Sequence, residues 1–440
     1  MGSPVVAVVG RPNVGKSTLF NRLVGRKLAV VHGEPGVTRD RKVAVATWEG
    51  RSFWLVDTGG YVPEATGGME VLVREQASLA VEEASLVVLV VDGEDGVNPL
   101  DAEIARILRR RGKTSLLVVN KIDNADREAS IHDFHGLGLG EPIPLSAVHG
   151  RGADELLDRI VEALGEARPA EEPTDAVRVA VVGKPNVGKS SIVNRLLHED
   201  RMIVHEAPGT TRDSVDSFFR FGGRQFILID TAGLRRKRSI SDTLEVYGVV
   251  RALKSIERAS VVLLVLDASS GLSSQDTRIA AIAHHSGKPS VVVFNKWDLV
   301  QKDERTAVEL EKEFRRRLPF LSYAQVVFVS ALTGLRVSRL PALALEAEEQ
   351  SRRTLDDQEL TAALRAALAR RRPPAGQSRQ GVTLARATQA SVVPPTFAVF
   401  VSDRSAFKRS YVLYLINSLR EQYGFRGTPI RVKVRTALRK

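Results

Sequence analysis

"GRPNVGKSTLFNRL" runs from Gly10 to Leu23, and a near copy, "GKPNVGKSSIVNRL", runs from Gly183 to Leu196. Each follows a short apolar run and opens a helical one. The shared pattern G-x-x-x-x-G-K-S predicts a strand, a tight loop and a helix N-terminus. Backbone N–H groups of such a loop surround an anion, and the helix dipole favours negative charge there. Two copies in one chain predict two phosphate-binding sites. They comprise Gly10, Arg11, Pro12, Asn13, Val14, Gly15, Lys16 and Ser17, and then Gly183, Lys184, Pro185, Asn186, Val187, Gly188, Lys189 and Ser190.

Other motifs recur in the same order. "PGVTRD" at Pro35 returns as "PGTTRD" at Pro208, and "DTGG" at Asp57 returns as "DTAG" at Asp230, both at the 173-residue spacing of the phosphate loops. "NKID" at Asn120 returns as "NKWD" at Asn295, a spacing of 175, and Ser146-Ala147 returns as Ser330-Ala331, a spacing of 184. Drift confined to the later motifs fits insertions in surface loops. The period is far too long for a solenoid, so it marks a duplicated domain. Within each copy, short apolar segments such as "LVVLVV" (Leu86 to Val91) alternate with helical ones such as "LDAEIARILRRRG" (Leu100 to Gly112). That alternation predicts an α/β fold, a mostly parallel sheet with helices on both faces. The expected organisation is a first phosphate-loop domain over 1–165, an acidic, proline-containing linker over 166–177, a second such domain over 178–348 and a small basic α+β domain over 349–440.

The motif order selects the nucleotide. Guanine presents N1–H and an N2 amino group on one edge, and a single carboxylate accepts from both; adenine lacks that pair. Asp123 and Asp298 take this role. Asn120 and Asn295 are expected to hold base and loop, Lys121 and Lys296 to lie along the base through their aliphatic stems, and Ile122 and Trp297 to complete the motif. Ser146-Ala147 and Ser330-Ala331 fit a support for guanine O6. GTP is therefore the expected nucleotide.

Lys16 and Lys189 are expected to reach the β- and γ-phosphates. Mg²⁺ is assigned to Ser17, Thr38 and Asp57 in the first copy, and to Ser190, Thr211 and Asp230 in the second. Gly60 and Gly233 are expected to offer N–H groups to the γ-phosphate. Thr58, Gly59 and Tyr61, and Thr231, Ala232 and Leu234, complete the two DxxG segments. Many GTPases carry a glutamine after DxxG to orient the attacking water. Tyr61 and Leu234 cannot do that, so another group must stabilise the transition state.

Apolar residues make up 43% of the 440 and charged residues 26%, ordinary for a globular protein, and the absence of cysteine excludes disulfides and thiolate metal sites. A cytoplasmic protein is expected: the N-terminus enters a strand pattern at once, and apolar runs are too short to span a bilayer. Net charge is +12, yet residues 351–440 hold 18 Lys/Arg against 5 Asp/Glu, or +13, leaving the first 350 residues near neutral. A basic excess confined to one segment predicts a polyanion partner, RNA above all.

With these motifs in order, the chain resembles the tandem-GTPase family called Der or EngA, bacterial ribosome-assembly factors. "LGLGEPIPLSAVHGRG", "DTAGLRRKRSI", "NKWDLV" and, in the tail, "PPTFAVF", "RSYVLYLINSLRE" and "GFRGTPIRV" carry the resemblance beyond the shared GTPase motifs. Ser402 and the stretches "YVLYL" and "VTLARATQ" depart from the family's pattern in the tail. The resemblance implies two GTPase domains and a KH-like domain packed between or against them. It implies GTP-controlled association of a monomer with the large ribosomal subunit and its rRNA. It also implies that Asn13 and Asn186 help bind K⁺ in place of an arginine finger; the alternative is that they brace switch I. Two other readings stay open: a related GTPase of tRNA modification, and a scaffold with one non-hydrolysing site. "GFRG" (Gly424 to Gly427) matches the KH-domain GxxG pattern in letters, but it lies between the last helix and last strand and reads as a turn. "RRKR" (Arg235 to Arg238) falls where switch II of the second domain is expected.

Overall fold

The computed structural model describes residues 4–25, 43–58, 78, 81, 84–123, 125–165, 176–198, 203–204, 216–231, 245–301, 303, 305–374 and 382–437. Thr38, Gly59, Gly60, Tyr61, Thr211, Ala232, Gly233, Leu234, the Arg235–Arg238 run and most of the linker lie outside them. Contacts divide the chain into two compact units, Met1–Pro173 with Lys237–Glu257, and Thr174–Arg236 with Arg258–Lys440.

In the first unit, β1 (Val5–Val9) stands inside a six-stranded sheet with β2 (Val43–Trp48), β3 (Arg51–Asp57), β4 (Leu86–Asp92), β5 (Ser115–Asn120) and β6 (Ile143–Pro144). The order is β2-β3-β1-β4-β5-β6. Only β2 runs antiparallel to its neighbour; the other pairings are parallel. β1 and β4 are buried along their whole length, which is why they read as unbroken apolar runs rather than alternating ones. Helix α1 (Lys16–Gly25) follows the phosphate loop, α2 (Pro99–Arg110) follows β4 and α3 (Ala153–Ala163) follows β6. Asn98 caps α2 by accepting from Leu100 N–H, Pro99 sits at its first position, and Ile104, Ala105 and Leu108 form its buried face.

The second unit repeats this plan. Its seven strands are β7 (Val177–Val182), β8 (Ile203–Val204), β9 (Ser217–Phe221), β10 (Arg224–Ile229), β11 (Val261–Asp267), β12 (Ser290–Asn295) and β13 (Gln325–Phe328). Their order is β13-β12-β11-β7-β10-β9-β8, parallel except at β9 and β8. In chain order the helices that follow are α4 (Lys189–His198), α5 (Glu245–Arg258), α6 (Ser274–His285), α7 (Thr306–Arg317) and α8 (Leu340–Ser351); α5 belongs to the first unit up to Glu257, and the other four to the second. The expected α/β class is therefore observed twice. In both sheets the phosphate-loop strand lies between the DxxG strand and the strand after it, so the loops at its carboxyl end converge there.

The tail folds as α9 (Asp357–Arg370), β14 (Leu384–Ser391), β15 (Thr396–Val401), α10 (Arg409–Tyr423) and β16 (Arg431–Thr436), with sheet order β14-β15-β16. Leu360, Leu364, Phe397, Val399, Leu415, Leu419 and Phe425 fill its core. It belongs to the second unit because backbone joins it there. Ser290 N–H donates to Gly427 O at 2.7 Å and Gly427 N–H donates to Tyr323 O at 2.9 Å. The segment "GFRG" forms this junction as a turn, with positive φ at Gly424, Phe425 and Gly427. A Cβ on Gly427 would lie 2.6 Å from that of Ala347, so the close approach requires glycine.

Not all of the tail's basic excess faces water. Arg420 stands 5.1 Å over the Tyr323 ring and donates to Phe425 O and Thr428 O at 2.6 and 2.7 Å. Its burial pushes its pKa down to about 10, and burial holds the adjoining His284 down at about 3, uncharged. On β16, by contrast, Lys433 and Arg435 are exposed and alternate with Val432 and Val434, which pack on the tail's core, while Arg431 donates to His285 O.

Candidate nucleotide sites

The loop after β1 turns through Gly10, Asn13 and Gly15, all at positive φ, and the loop after β7 repeats this at Gly183, Asn186 and Gly188. A Cβ on Gly10 would stand 2.3 Å from Val90 O, and one on Gly183 would stand 2.2 Å from Val265 O. The loop is thus pressed onto the end of the next strand, and only glycine permits that. Asn13 and Asn186 are exposed on their loops at φ 66° and 65°. Asparagine tolerates this left-handed conformation better than most residues, which is one reason for its presence independent of any ligand.

The two lysines share one arrangement. Lys16 Nζ donates to Arg11 O at 2.6 Å; Lys189 Nζ donates to Gly183 O at 2.9 Å and Lys184 O at 2.8 Å. Burial pushes Lys16 down to about 8, opposed by the nearby negative charges of Asp57 and Asp101. A desolvated ammonium held on backbone carbonyls favours an anion in the loop. Ser17 Oγ donates to Asp57 Oδ2 at 2.7 Å, which brings two of the expected Mg²⁺ ligands together. In the second copy Asp230 sits at φ 59°, with its N–H donating to Asp216 Oδ1 at 2.9 Å. Thr58 Oγ1 donates to Val8 O, and Thr231 Oγ1 bonds Ser217 Oγ, both at 2.8 Å; each threonine anchors the end of its DxxG strand.

Asn120 and Asn295 join the parts. Asn120 Nδ2 donates to Val14 O at 2.8 Å, and its Oδ1 accepts from Ala147 N–H at 2.9 Å. Asn295 does the same with Val187 O at 2.7 Å and Ala331 N–H at 2.9 Å. One buried amide therefore ties the phosphate loop to the Ser-Ala loop. Gly15 and Gly188 admit it: a Cβ on either would lie 2.2 Å from the asparagine Nδ2. Ile122 N–H donates to Leu145 O and Trp297 N–H to Val329 O, both at 3.1 Å, securing the same loop from the NKxD side. Asp123 is exposed and accepts from the buried Ser146 hydroxyl at 2.7 Å on Oδ1.

Truncating the asparagine strands a carbonyl and an N–H together. Asn120→Ala and Asn295→Ala are each expected to destabilise their own domain by about 2 to 4 kcal/mol. Urea unfolding followed by circular dichroism checks this; unchanged transitions in both variants would contradict it.

Family models match this chain in three stretches. One described as "50S ribosome-binding GTPase" matches residues 5–121 and again 178–296. Another, "KH-domain-like of EngA bacterial GTPase enzymes, C-terminal", matches residues 355–435. "GTPase Der" of Pelotomaculum thermopropionicum is 48% identical over 435 residues, 99% of each chain. The chain belongs to the Der family of GTPases. "GTPase Der" of Moorella thermoacetica is likewise 48% identical, over 432 residues and 98% of each chain. Among solved structures, the FeoB G-domain of Methanococcus jannaschii is 27% identical, covering 38% of this chain and all of its own, at a TM-score of 0.29. As a member of the Der family the protein binds and hydrolyses GTP, and its tail is the family's KH-like domain.

The fold of this Der-family chain also brings in residues that motif reading passed over. Lys121 Nζ pairs with Asp92 Oδ2 and Lys296 Nζ with Asp267 Oδ2, both at 2.6 Å, so the lysines expected along the base are held at the ends of β4 and β11. The hydrogen bond to Asp92 raises the Lys121 pKa. Burial alone would raise that of Asp267, but hydrogen bonds from Lys296 and Ser269 bring it below the ordinary value. Arg22 donates to Ala147 O at 2.9 Å, and Arg195 to Leu332 O at 2.9 Å, supporting the Ser-Ala loops from α1 and α4. Arg11 reaches Asp101, and Lys184 reaches Asp276. The side chains recur in register, Arg11 with Lys184 and Arg22 with Arg195 at 173, and Asp92 with Asp267, Asp101 with Asp276 and Lys121 with Lys296 at 175, which is the one sequence signal they carry.

Proposed function

We propose that both GTPase domains are complete nucleotide sites and that together they form a switch assisting assembly of the large ribosomal subunit. The observation that carries this reading is the duplicated lysine, since Lys189 Nζ rests on the carbonyl of Lys184 as Lys16 Nζ rests on that of Arg11, and a copy that binds no phosphate has no need of an ammonium there. The domains are taken as 1–165, 178–348 and 349–440, joined by 166–177.

In each site, loop N–H groups and Lys16 or Lys189 bind the phosphates, and Asp123 or Asp298 reads the guanine edge. Oxygen donors suit Mg²⁺, and Ser17 beside Asp57 supplies a hydroxyl and a carboxylate of that kind. Thr38, and Ser190, Thr211 and Asp230 in the second copy, complete the assignment. Mg²⁺ supplies charge neutralisation at the phosphates when bound. Gly60 and Gly233 offer N–H groups to the γ-phosphate, which orders the switches, and hydrolysis releases them. With Tyr61 and Leu234 in the glutamine's place, a K⁺ ion beside Asn13 and Asn186 is the proposed stabiliser of transition-state charge.

The exposed cations of β16 and the family model's description support rRNA of the large subunit as partner of a cytoplasmic, monomeric protein. Binding to large-subunit particles is expected to be tight with a non-hydrolysable GTP analogue and at least tenfold weaker with GDP, a coupling of ordinary allosteric size. Equal binding in all nucleotide states would refute the switch. Replacing Na⁺ by K⁺ is expected to raise hydrolysis about tenfold or more. Asn13→Gly with Asn186→Gly keeps the left-handed loop but removes the side chains, so stimulation that survives it would assign the asparagines to loop shape alone.

A further inference from the structure

Asp101 and Asp276 occupy equivalent positions in the first turns of α2 and α6, and both are fully buried. Each faces the second residue of its phosphate loop. Arg11 Nε lies 3.3 Å from Asp101 Oδ2, and Lys184 Nζ lies 3.1 Å from Asp276 Oδ2. Among the described residues, the other oxygen, Oδ1, has no hydrogen-bond partner in either copy. We propose that Asp101 and Asp276 are positioning residues of the two GTP sites, each holding its phosphate loop through the cation at the loop's second position.

The linkage is continuous. The carboxylate holds the side chain of residue 11 or 184, and the carbonyl of that same residue receives Lys16 Nζ or Lys189 Nζ. Fixing the cation therefore fixes a backbone oxygen that aims the phosphate-binding lysine. Neither the acid nor the cation it holds is assigned to the nucleotide's reacting atoms, so their effect passes through the loop and its lysine.

The plainer role is helix capping. Asp276 Oδ2 accepts from the N–H and hydroxyl of Ser273 at 2.9 and 2.7 Å, a capping box. Capping needs an acceptor, which a neutral amide also supplies. It does not account for a full negative charge taken out of water, which is unfavourable unless paired. The paired cation does account for it, and it differs between the copies while the acid does not. Arg11 also reaches Asp95 at 2.8 Å, whereas Lys184 has the hydroxyl of Ser270 at 3.3 Å in the equivalent place. The first loop is thus held at two carboxylates and the second at one.

The test uses the full chain with one site silenced at a time. In a Lys189→Ala background the first site is read by titration with GDP and GTP. Asp101→Asn, which keeps the cap, is expected to weaken nucleotide binding about tenfold, because Arg11 is left without its buried partner. Arg11→Gln leaves the acid and cap in place and is expected to weaken it too. The double variant is expected to bind within about threefold of the Arg11→Gln protein, since two contacting residues do not add. Asp276→Asn in a Lys16→Ala background is expected to act on the second site alone. Additive losses for the Arg11 and Asp101 variants would overturn the proposal. So would variants whose melting temperature falls while nucleotide affinity stays unchanged. If Asp101→Asn fails to fold, unchanged affinity in Arg11→Gln alone is sufficient to refute it.

Discussion

Asp123→Asn is expected to lower the first site's affinity for GTP by about 10³-fold and to create affinity for xanthosine triphosphate, because a site built to hydrogen-bond one edge rejects its mismatch strongly. The geometry gives the direction. Asp123 Oδ1 already accepts the Ser146 hydroxyl, and Ser146 is buried and held by backbone at Arg151, so the carboxylate's orientation is set before any base arrives. An asparagine keeps its oxygen on Ser146 and turns its amino group toward the position of Oδ2. Guanine presents an amino group there, and donor would face donor. Xanthine presents a carbonyl instead and is accepted. Asp298→Asn should do the same for the second site. Equilibrium titration of each single variant with both nucleotides checks this. GTP binding that survives in either variant with no gain for the xanthine nucleotide would remove that aspartate from base recognition.

Lys16→Ala and Lys189→Ala are each expected to remove turnover at their own site, about a 10³-fold loss from deleting a preorganised cation at the transferring phosphate. Turnover at the other site should persist, and the double variant should fall to background. Stability should not suffer. Lys16 is only 6% exposed, and burial already opposes its charge, so its removal relieves a desolvated ammonium. Steady-state hydrolysis of the three variants, with thermal unfolding as control, distinguishes two working sites from one. If either single variant abolished all hydrolysis, the remaining site would be passive or wholly dependent on its twin, and the scaffold reading would return.

Much of this site was legible because its parts are local in sequence. Gly10, Gly15, Lys16 and Ser17 fall within eight residues, and their spacing encodes a loop of one shape before a helix N-terminus. The "NKID" and "NKWD" motifs were legible for a similar reason: each ends a buried strand and begins a turn, with Lys121 and Lys296 at positive φ. The tail is legible in outline, and the place of its GxxG letters between helix and strand marks them as a turn. The direction in which its arginines point was not legible. Arg420 and Lys433 contribute alike to net charge, yet one stacks inside the junction with Tyr323 and the other faces water.

Sequence alone determined the duplicated α/β fold, the nucleotide class and the residues of each motif, because periodicity and short-range spacing dictate strands, helices and tight loops directly. Tertiary structure alone decided what holds those motifs to one another. Asn120 binds a loop 106 residues away in the chain and Asp101 a residue 90 away. Such pairs leave no local pattern: each exists only once parallel strands bring their carboxyl ends together, and there a buried polar group must find a partner or destabilise the fold.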